Sequence, residues 1–252
     1  MSDTTLWSAF LLIFFAIWMV GFLLVRRGVM PTLRDIPGYQ TIRGAMAEAA
    51  EVGRPVHLSL GTAGIGDVFA MESLTGLTAL EFLGEQAATT ANLPLVTTGD
   101  PTTMLFAQDT MIRPFKQRDQ VEDYSPLNVR FIGGTAGNSG VAYAAGVMDI
   151  LNHQNIAANF MVGRFGDEYL LMGEVAARRQ IPQVAGSANP NALTFMQATA
   201  NQVLMGEEMF VAGAYLTQSA WHIASLLAQD TARWILVVGI GAVVLLKTLG
   251  LL

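Results

Sequence analysis

The stretch VHLSLGTAGIGD, residues 56–67, decides the fold class of this 252-residue chain. A short, mainly apolar run, 56–60, leads into a glycine-rich turn, and the turn leads into a segment of helical length. This succession is typical of a strand inside a sheet that is followed by a crossover helix. We therefore expect a strand that ends at Leu60 and a helix that begins at Asp67.

The same succession recurs along the chain. The predicted strands are 56–60, 93–98, 128–133, 156–163, 181–186 and 201–206. The predicted helices are 41–52, 67–88, 102–115, 139–152, 167–180, 191–200 and 208–230. Alternating strands and helices form parallel β-α-β units, and strands almost free of charge suit a sheet that is covered on both faces. The sequence predicts an α/β fold with a Rossmann-like, doubly wound, mostly parallel sheet of about six strands.

Both ends of the chain are apolar. Residues 6–25 carry no charge, and a helix of about 20 apolar residues crosses the hydrocarbon core of a bilayer. The preceding tail, MSDTT, has no positive charge, which argues against a cleaved signal peptide. The second apolar run, 234–252, contains Lys247, which can reach the far interface if the run is a span. Its alternative is a helix buried in protein.

Arginines flank both apolar runs on the side of the central region. Arg26, Arg27 and Arg34 follow the first run, and Arg233 precedes the second. Because such residues stay cytoplasmic, we expect two spans in the inner (cytoplasmic) membrane, with the central domain in the cytoplasm and both termini outside. The expected parts are an external tail 1–5, a transmembrane helix 6–25, a juxtamembrane segment 26–53, a cytoplasmic α/β domain 54–207, a connecting helix 208–233 and a transmembrane helix 234–252.

Composition excludes several classes of protein. The chain is 52% hydrophobic and 13% charged, whereas an ordinary soluble domain is about 25% charged. The net charge of −6 opposes nucleic-acid binding, which needs a basic surface. The absence of cysteine excludes disulfides, thiolate metal sites and cysteine nucleophiles. The lipid bilayer is therefore an expected partner, and nucleic acid is not.

Two glycine-rich turns are the candidate ligand-binding sites. The candidate residues are Gly61, Thr62, Gly64 and Gly66 in the first turn and Gly134, Thr135, Gly137 and Asn138 in the second. Turns that follow strands and open helices attract anions. Neither turn matches a dinucleotide or Walker A motif, and Asp67 stands where the Walker lysine would be needed. The alternative is that both are tight turns for close packing of a helix on a strand.

Other chemistry-bearing side chains suggest structural roles. Asp100, Glu168 and Glu208 stand at predicted helix starts, where carboxylates act as caps. We expect Glu174, in the middle of a helix, to pair with Arg178. The three histidines, His57, His153 and His222, are isolated and form no metal-ligand pair. The sequence therefore indicates no catalytic residue and no metal site, and it leaves the cofactor unknown.

Charge is also absent from two long stretches. Residues 180–206 carry none, and 131–163 carry only Asp149. Because a solvent-facing helix normally carries charge, we expect an interface here. On the predicted helix 191–200, the side chains of Leu193, Phe195 and Met196 cannot all face the sheet. They are the candidate interface residues.

Four strings carry a resemblance to a known family. They are LSLGTAGIGD at 58–67, VAYAAGVMDIL at 141–151, FGDEYLLMGE at 165–174 and IPQVAGSANPNAL at 181–193. Over residues 54–227 the chain resembles a membrane-anchored prokaryotic family catalogued as a domain of unknown function. The resemblance implies a membrane-tethered α/β domain and implies no activity and no site residues.

Two hypotheses of function follow. The first is a non-catalytic scaffold or assembly subunit, anchored in the membrane, whose α/β domain forms a homo-oligomer or part of a larger membrane complex. The second is a tethered domain, possibly enzymatic, that binds a nucleotide or another phosphate ligand. No convergent set of Lys, Arg or His near the glycine turns is evident in the sequence, which favours the first.

Overall fold

The computed structural model describes residues 3–25, 33–133 and 139–249. The chain divides into two compact units. The α/β unit is Asp35–Thr217, and the helical unit comprises Met1–Arg34 and Gln218–Leu252. The α/β unit thus extends beyond the expected 54–207 at both ends.

The α/β unit is built on six parallel strands. They are β1 (His57–Gly61), β2 (Leu95–Thr98), β3 (Val129–Phe131), β4 (Asn159–Arg164), β5 (Gln183–Ser187) and β6 (Gln202–Met205). Their order across the sheet is β3-β2-β1-β4-β5-β6, and every neighbouring pair is parallel. The predicted α/β class and six-stranded parallel sheet are confirmed. The order reverses between β1 and β4, which is the switch point where open α/β sheets bind ligands.

Helices cover both faces of this sheet. They are α2 (Pro37–Val52), α3 (Ala70–Thr90), α4 (Pro101–Gln117), α5 (Ser139–His153), α6 (Tyr169–Arg178), α7 (Pro190–Thr199) and the short α8 (Ala212–Tyr215). One core contains residues of α2, α3, α4 and α8, and the other contains residues of α5, α6 and α7. Because side chains alternate along a strand, Leu58 and Leu60 of β1 enter the first core. His57 and Ser59 point to the opposite face.

Helix α2 belongs to the α/β unit and not to a separate juxtamembrane segment. Tyr39, Ile42, Met46 and Ala49 recur at helical spacing and are all buried in the first core. The helix ends at Gly53, whose left-handed backbone (φ 63°) lets its N–H bond to the carbonyl of Ala49. Its burial explains why the unit begins near Asp35.

The two ends of the α/β unit lie side by side. The rings of Tyr39, near the start of α2, and Tyr215, at the end of α8, stack with centroids 5.2 Å apart. The guanidinium of Arg43 donates to the carbonyl of Tyr215. The chain therefore enters and leaves this unit at one place.

The helical unit contains α1 (Asp3–Val25) and α9 (Ala220–Thr248), which contact each other. Among the described residues, α9 is the one helix long and apolar enough to cross a membrane, and the apolar part of α1 is the shorter Ser8–Phe22. The predicted connecting helix and second span are not separate, since α9 runs continuously from Ala220. Residues 208–230 do not form one helix because Gln218 adopts a left-handed backbone (φ 51°) that interrupts it.

Candidate functional site

The switch point lies at the carboxyl ends of β1 and β4, where two glycines allow the strands to approach closely. A Cβ at Gly61 would collide with the carbonyl oxygen of Arg164, and one at Gly163 would collide with that of Leu60. The N–H of Thr62 donates to the Arg164 carbonyl at 3.0 Å. The two strands therefore remain hydrogen-bonded up to the switch point, outside which open α/β sheets bind ligands.

The first glycine turn is occupied by contacts within the protein. Gly61 has φ 77°, and an added Cβ at Gly64 would lie 2.9 Å from a carboxylate oxygen of Asp100. Gly66 has open space at its Cβ position. The turn continues past Asp67, so α3 begins at Ala70 and not at Asp67 as expected. Three of the four candidate residues, Gly61, Thr62 and Gly64, thus lie against Arg164 or Asp100, and ligand binding at this turn stays a prediction.

The second glycine turn lies outside the described residues. This applies to Gly134, Thr135, Gly137 and Asn138. The helix that follows, α5, begins beside the loop after β4, because a Cβ at Gly140 would lie 3.3 Å from the carboxylate of Glu168.

A buried carboxylate joins three elements at the switch point. Glu72, in the first turn of α3, is 3% exposed, and its Oε1 accepts from Nη1 of Arg164 at 3.1 Å. Its Oε2 accepts from Ser187 Oγ at 3.1 Å and from the N–H of Ala188 at 3.2 Å. We call these four residues the switch-point cluster. Both carboxylate oxygens are satisfied, as a buried charge requires.

Arg164 is held from a second side as well. Its guanidinium carbon lies 3.7 Å from the ring centroid of Phe69, a cation–π contact. The side chain of Arg164 remains 26% exposed. Sequence reasoning missed this arginine and Glu72 because the strand order, and not proximity along the chain, brings them to the glycine turn. The available signal was a lone arginine at the end of a predicted strand.

Asp100 and Glu208 cap helix starts as predicted, whereas the side chain of Glu168 makes no cap hydrogen bond to α6. Asp100 accepts from the N–H of Thr103 at 2.6 Å and caps α4. Glu168 accepts from the N–H of Gly166 at 2.7 Å, and Glu208 accepts from the N–H of Met205 at 3.3 Å. Within the described residues, no group of three potential ligands is placed to hold a metal ion.

Glu174 forms the predicted pair with Arg178, at 2.6 Å. Its side chain is 48% exposed. The pair lies on the solvent side of α6, where such an interaction contributes little to stability.

A row of polar side chains crosses the sheet on the face covered by α5, α6 and α7. His57 Nδ1 bonds to Asn159 at 2.7 Å, and its Nε2 bonds to Thr97 at 3.0 Å. Asn159 donates to Gln183 at 2.8 Å, and Gln183 donates to Tyr169 at 3.1 Å. We call these five residues the polar row. Burial lowers the pKa of His57 to about 4, so the ring is neutral.

A second group of buried polar side chains, Tyr143 and Ser59, is hydrogen-bonded to the polar row through Thr97. The hydroxyl of Tyr143 on α5 bonds to Ser59 at 2.6 Å and to Thr97 at 3.1 Å. All of these side chains are satisfied by one another, which explains how a two-sided parallel sheet tolerates them.

Large apolar side chains are exposed around the carboxyl end of the sheet. Val68, Met71, Leu105 and Val141 are each at least 60% exposed, and Phe106 is 47% exposed. All five lie in the loop or the first two turns of helix that follow β1, β2 or β3. We call them the carboxyl-end surface.

The three candidate interface residues on α7 differ in burial. Met196 is fully buried in the second core and is removed from the candidate interface. Leu193 and Phe195 are half-buried and pack against that core. The exposed positions of α7 carry no charge, and three of the five are neutral polar residues: Pro190, Asn191, Thr194, Gln197 and Ala198.

Comparison with known proteins identifies the chain through its family alone. No curated protein and no solved structure matches it. A family model matches residues 1–252, the whole chain, including both apolar helices. The chain belongs to the family described as "Domain of unknown function (DUF6754)".

Proposed function

We propose that this protein is a non-catalytic assembly subunit, anchored in a membrane, whose α/β unit associates through its carboxyl-end surface with copies of itself or with other subunits. The observation that carries this proposal is the exposure of Val68, Met71, Leu105, Phe106 and Val141 at one end of the sheet. Exposed apolar surface of this kind is a mark of protein–protein contact. Burying one large side chain stabilises an interface by about 1.5–3 kcal/mol.

The local geometry at the switch point supports the same proposal. Gly61 and Gly163 keep β1 and β4 together, and Glu72 satisfies its own oxygens within the protein. At the switch point the carboxylate of Glu72 is thus engaged within the protein, whereas the side chain of Arg164 remains 26% exposed. Nucleotide or phosphate binding is the alternative proposal.

We further propose two membrane spans, with the α/β unit in the cytoplasm and both termini outside. Helix α9 has the length of a span, and residues 6–25 are uncharged. The four arginines at positions 26, 27, 34 and 233 favour a cytoplasmic α/β unit. The two ends of the α/β unit are adjacent, as is expected of a domain that is inserted in the chain between two neighbouring helices.

The test of assembly is the mass of the full-length protein in mild detergent, measured by native mass spectrometry. Leu105→Glu should shift the wild-type oligomer to smaller species, because burying a new carboxylate costs several kcal/mol by order of magnitude. Leu127→Glu is the matched control, since Leu127 is 78% exposed and precedes β3 at the opposite end of the sheet. It should leave the mass unchanged.

Two results would contradict the proposal. A wild-type protein that is monomeric in mild detergent has no association to explain. A stoichiometric nucleotide released from the purified protein would establish the alternative.

A further inference from the structure

We infer that Arg164 is a recognition site for a carboxylate group carried on an apolar body. This site lies at the end of β4, beside the first glycine turn, and it borders the carboxyl-end surface at Val68 and Met71. Open α/β sheets bind ligands at this position, outside the carboxyl ends of the strands where the order reverses.

The guanidinium of Arg164 is fixed before any ligand arrives. Nη1 donates to Glu72 at 3.1 Å, and the ring of Phe69 lies against the guanidinium plane. Glu72 is itself fixed by Ser187 and Ala188. A side chain held in this way loses little conformational entropy when it binds, which raises affinity.

Arg164 has donors to spare. A guanidinium carries five N–H groups, and its Nε and Nη2 side matches the two oxygens of a carboxylate. Among residues 3–25, 33–133 and 139–249, no acceptor bonds to Nε or Nη2 of Arg164. The side chain is 26% exposed, so part of it is open to solvent.

The surroundings favour a singly charged group. Glu72, Asp100 and Glu168 are carboxylates of the segments that follow β1, β2 and β4 at this end of the sheet. They repel a phosphate dianion more strongly than a carboxylate. Val68 and Met71, 92% and 63% exposed, flank Phe69 along the chain and offer contacts to an apolar ligand body.

The experiment uses the full-length protein in lipid nanodiscs and hexanoate as the probe. Ligand-observed saturation-transfer NMR gives the Kd, with empty nanodiscs as the background. Hexanamide tests the need for the charge, and hexyl phosphate tests the choice of anion. We expect hexanoate to bind, hexanamide not to bind, and hexyl phosphate to bind more weakly than hexanoate.

Two variants should move affinity in opposite directions. Arg164→Gln should weaken hexanoate binding by at least about tenfold, because a charge-assisted pair is lost. Glu72→Gln should tighten it several-fold, because the guanidinium charge is no longer neutralised. Arg130→Gln, a change of an exposed arginine on β3, is the control and should not alter the Kd.

Folding is checked with the double variant Glu72→Gln/Arg164→Gln, which removes both charges of the ion pair together. It should melt cooperatively and should not bind hexanoate. Binding that survives in a folded variant without Arg164 would overturn the inference, as would wild-type protein that gives no signal above empty nanodiscs. A preference for hexyl phosphate would overturn the assignment of a carboxylate.

Discussion

Gly61 and Gly66 belong to one turn, yet their backbones meet different constraints. Gly61 has a left-handed backbone (φ 77°) and faces the carbonyl of Arg164, whereas Gly66 faces open space. Only the first therefore needs to be glycine for the strands to meet. Within one motif, the structure constrains Gly61 and leaves the Cβ position of Gly66 without contacts.

We predict that Gly61→Ala lowers the free energy of unfolding by at least about 2 kcal/mol, because the left-handed conformation and the backbone collision both oppose a Cβ. Gly66→Ala should change it by no more than about 0.5 kcal/mol. Urea unfolding followed by circular dichroism measures both variants. Equal losses would mean that the turn is not held by the contact with Arg164.

At this scale the sequence predicts the position of the site better than its chemistry. A strand, a glycine turn and a helix place Gly61 and Thr62 at the carboxyl end of the sheet. Glu72 and Arg164 lie in different β-α-β units, and neither stands in a motif. Their contact depends on β4 pairing with β1, which residue spacing does not encode.

Among the elements, the strands differ most from the sequence pattern of a parallel sheet. Such strands are expected to be apolar on both faces. Here β1, β2, β4 and β5 each contribute a buried polar side chain to the polar row. The pattern of the strands still predicts the sheet, because Leu58, Val96, Phe160 and Val184 occupy the opposite face. The pairing of His57, Asn159 and Gln183 was not predictable, since it requires the register of three strands.

The polar row makes stability depend on pH. The folded pKa of His57 is about 4 and the unfolded value is 6.5, so the unfolded state binds more protons between these values. The contribution of neutral His57 to the free energy of unfolding is therefore fully present above pH 6.5. It is lost as the pH drops towards 4, which lowers the free energy of unfolding by up to about 3 kcal/mol.

Urea unfolding at a series of pH values checks this prediction. His57→Gln should flatten the slope between pH 6.5 and 4, and His153→Gln, a change at an exposed histidine, should retain it. A slope that persists in His57→Gln would assign the pH dependence to other groups.

In the whole molecule, the family match extends over both apolar helices as well as the sheet. The sequence predicted the apolar ends and a helix at 41–52, but it assigned that helix to a juxtamembrane segment outside the α/β domain. Burial of Tyr39 and Ile42 against the sheet makes it part of the core. Tertiary packing, and not local composition, sets that boundary.

The proposed topology predicts a labelling pattern. Since the natural chain has no cysteine, single cysteines report unambiguously. Ser2→Cys and Leu252→Cys should react with an impermeant maleimide added to intact cells, and Glu122→Cys should react only after the membrane is opened. Labelling of positions 2 and 252 on opposite sides would exclude an even number of spans.

The stacked tyrosines at the mouth of the α/β unit have a mechanical consequence. With Tyr39 and Tyr215 in contact, a force that separates the two connections acts first on this stack and on the Arg43 hydrogen bond. The six strands do not bear this force at first, because the two connections join the unit at α2 and after α8 and not at a strand. Under such a force we expect the contacts between the two ends of the α/β unit to break first, while the sheet and its two cores stay intact.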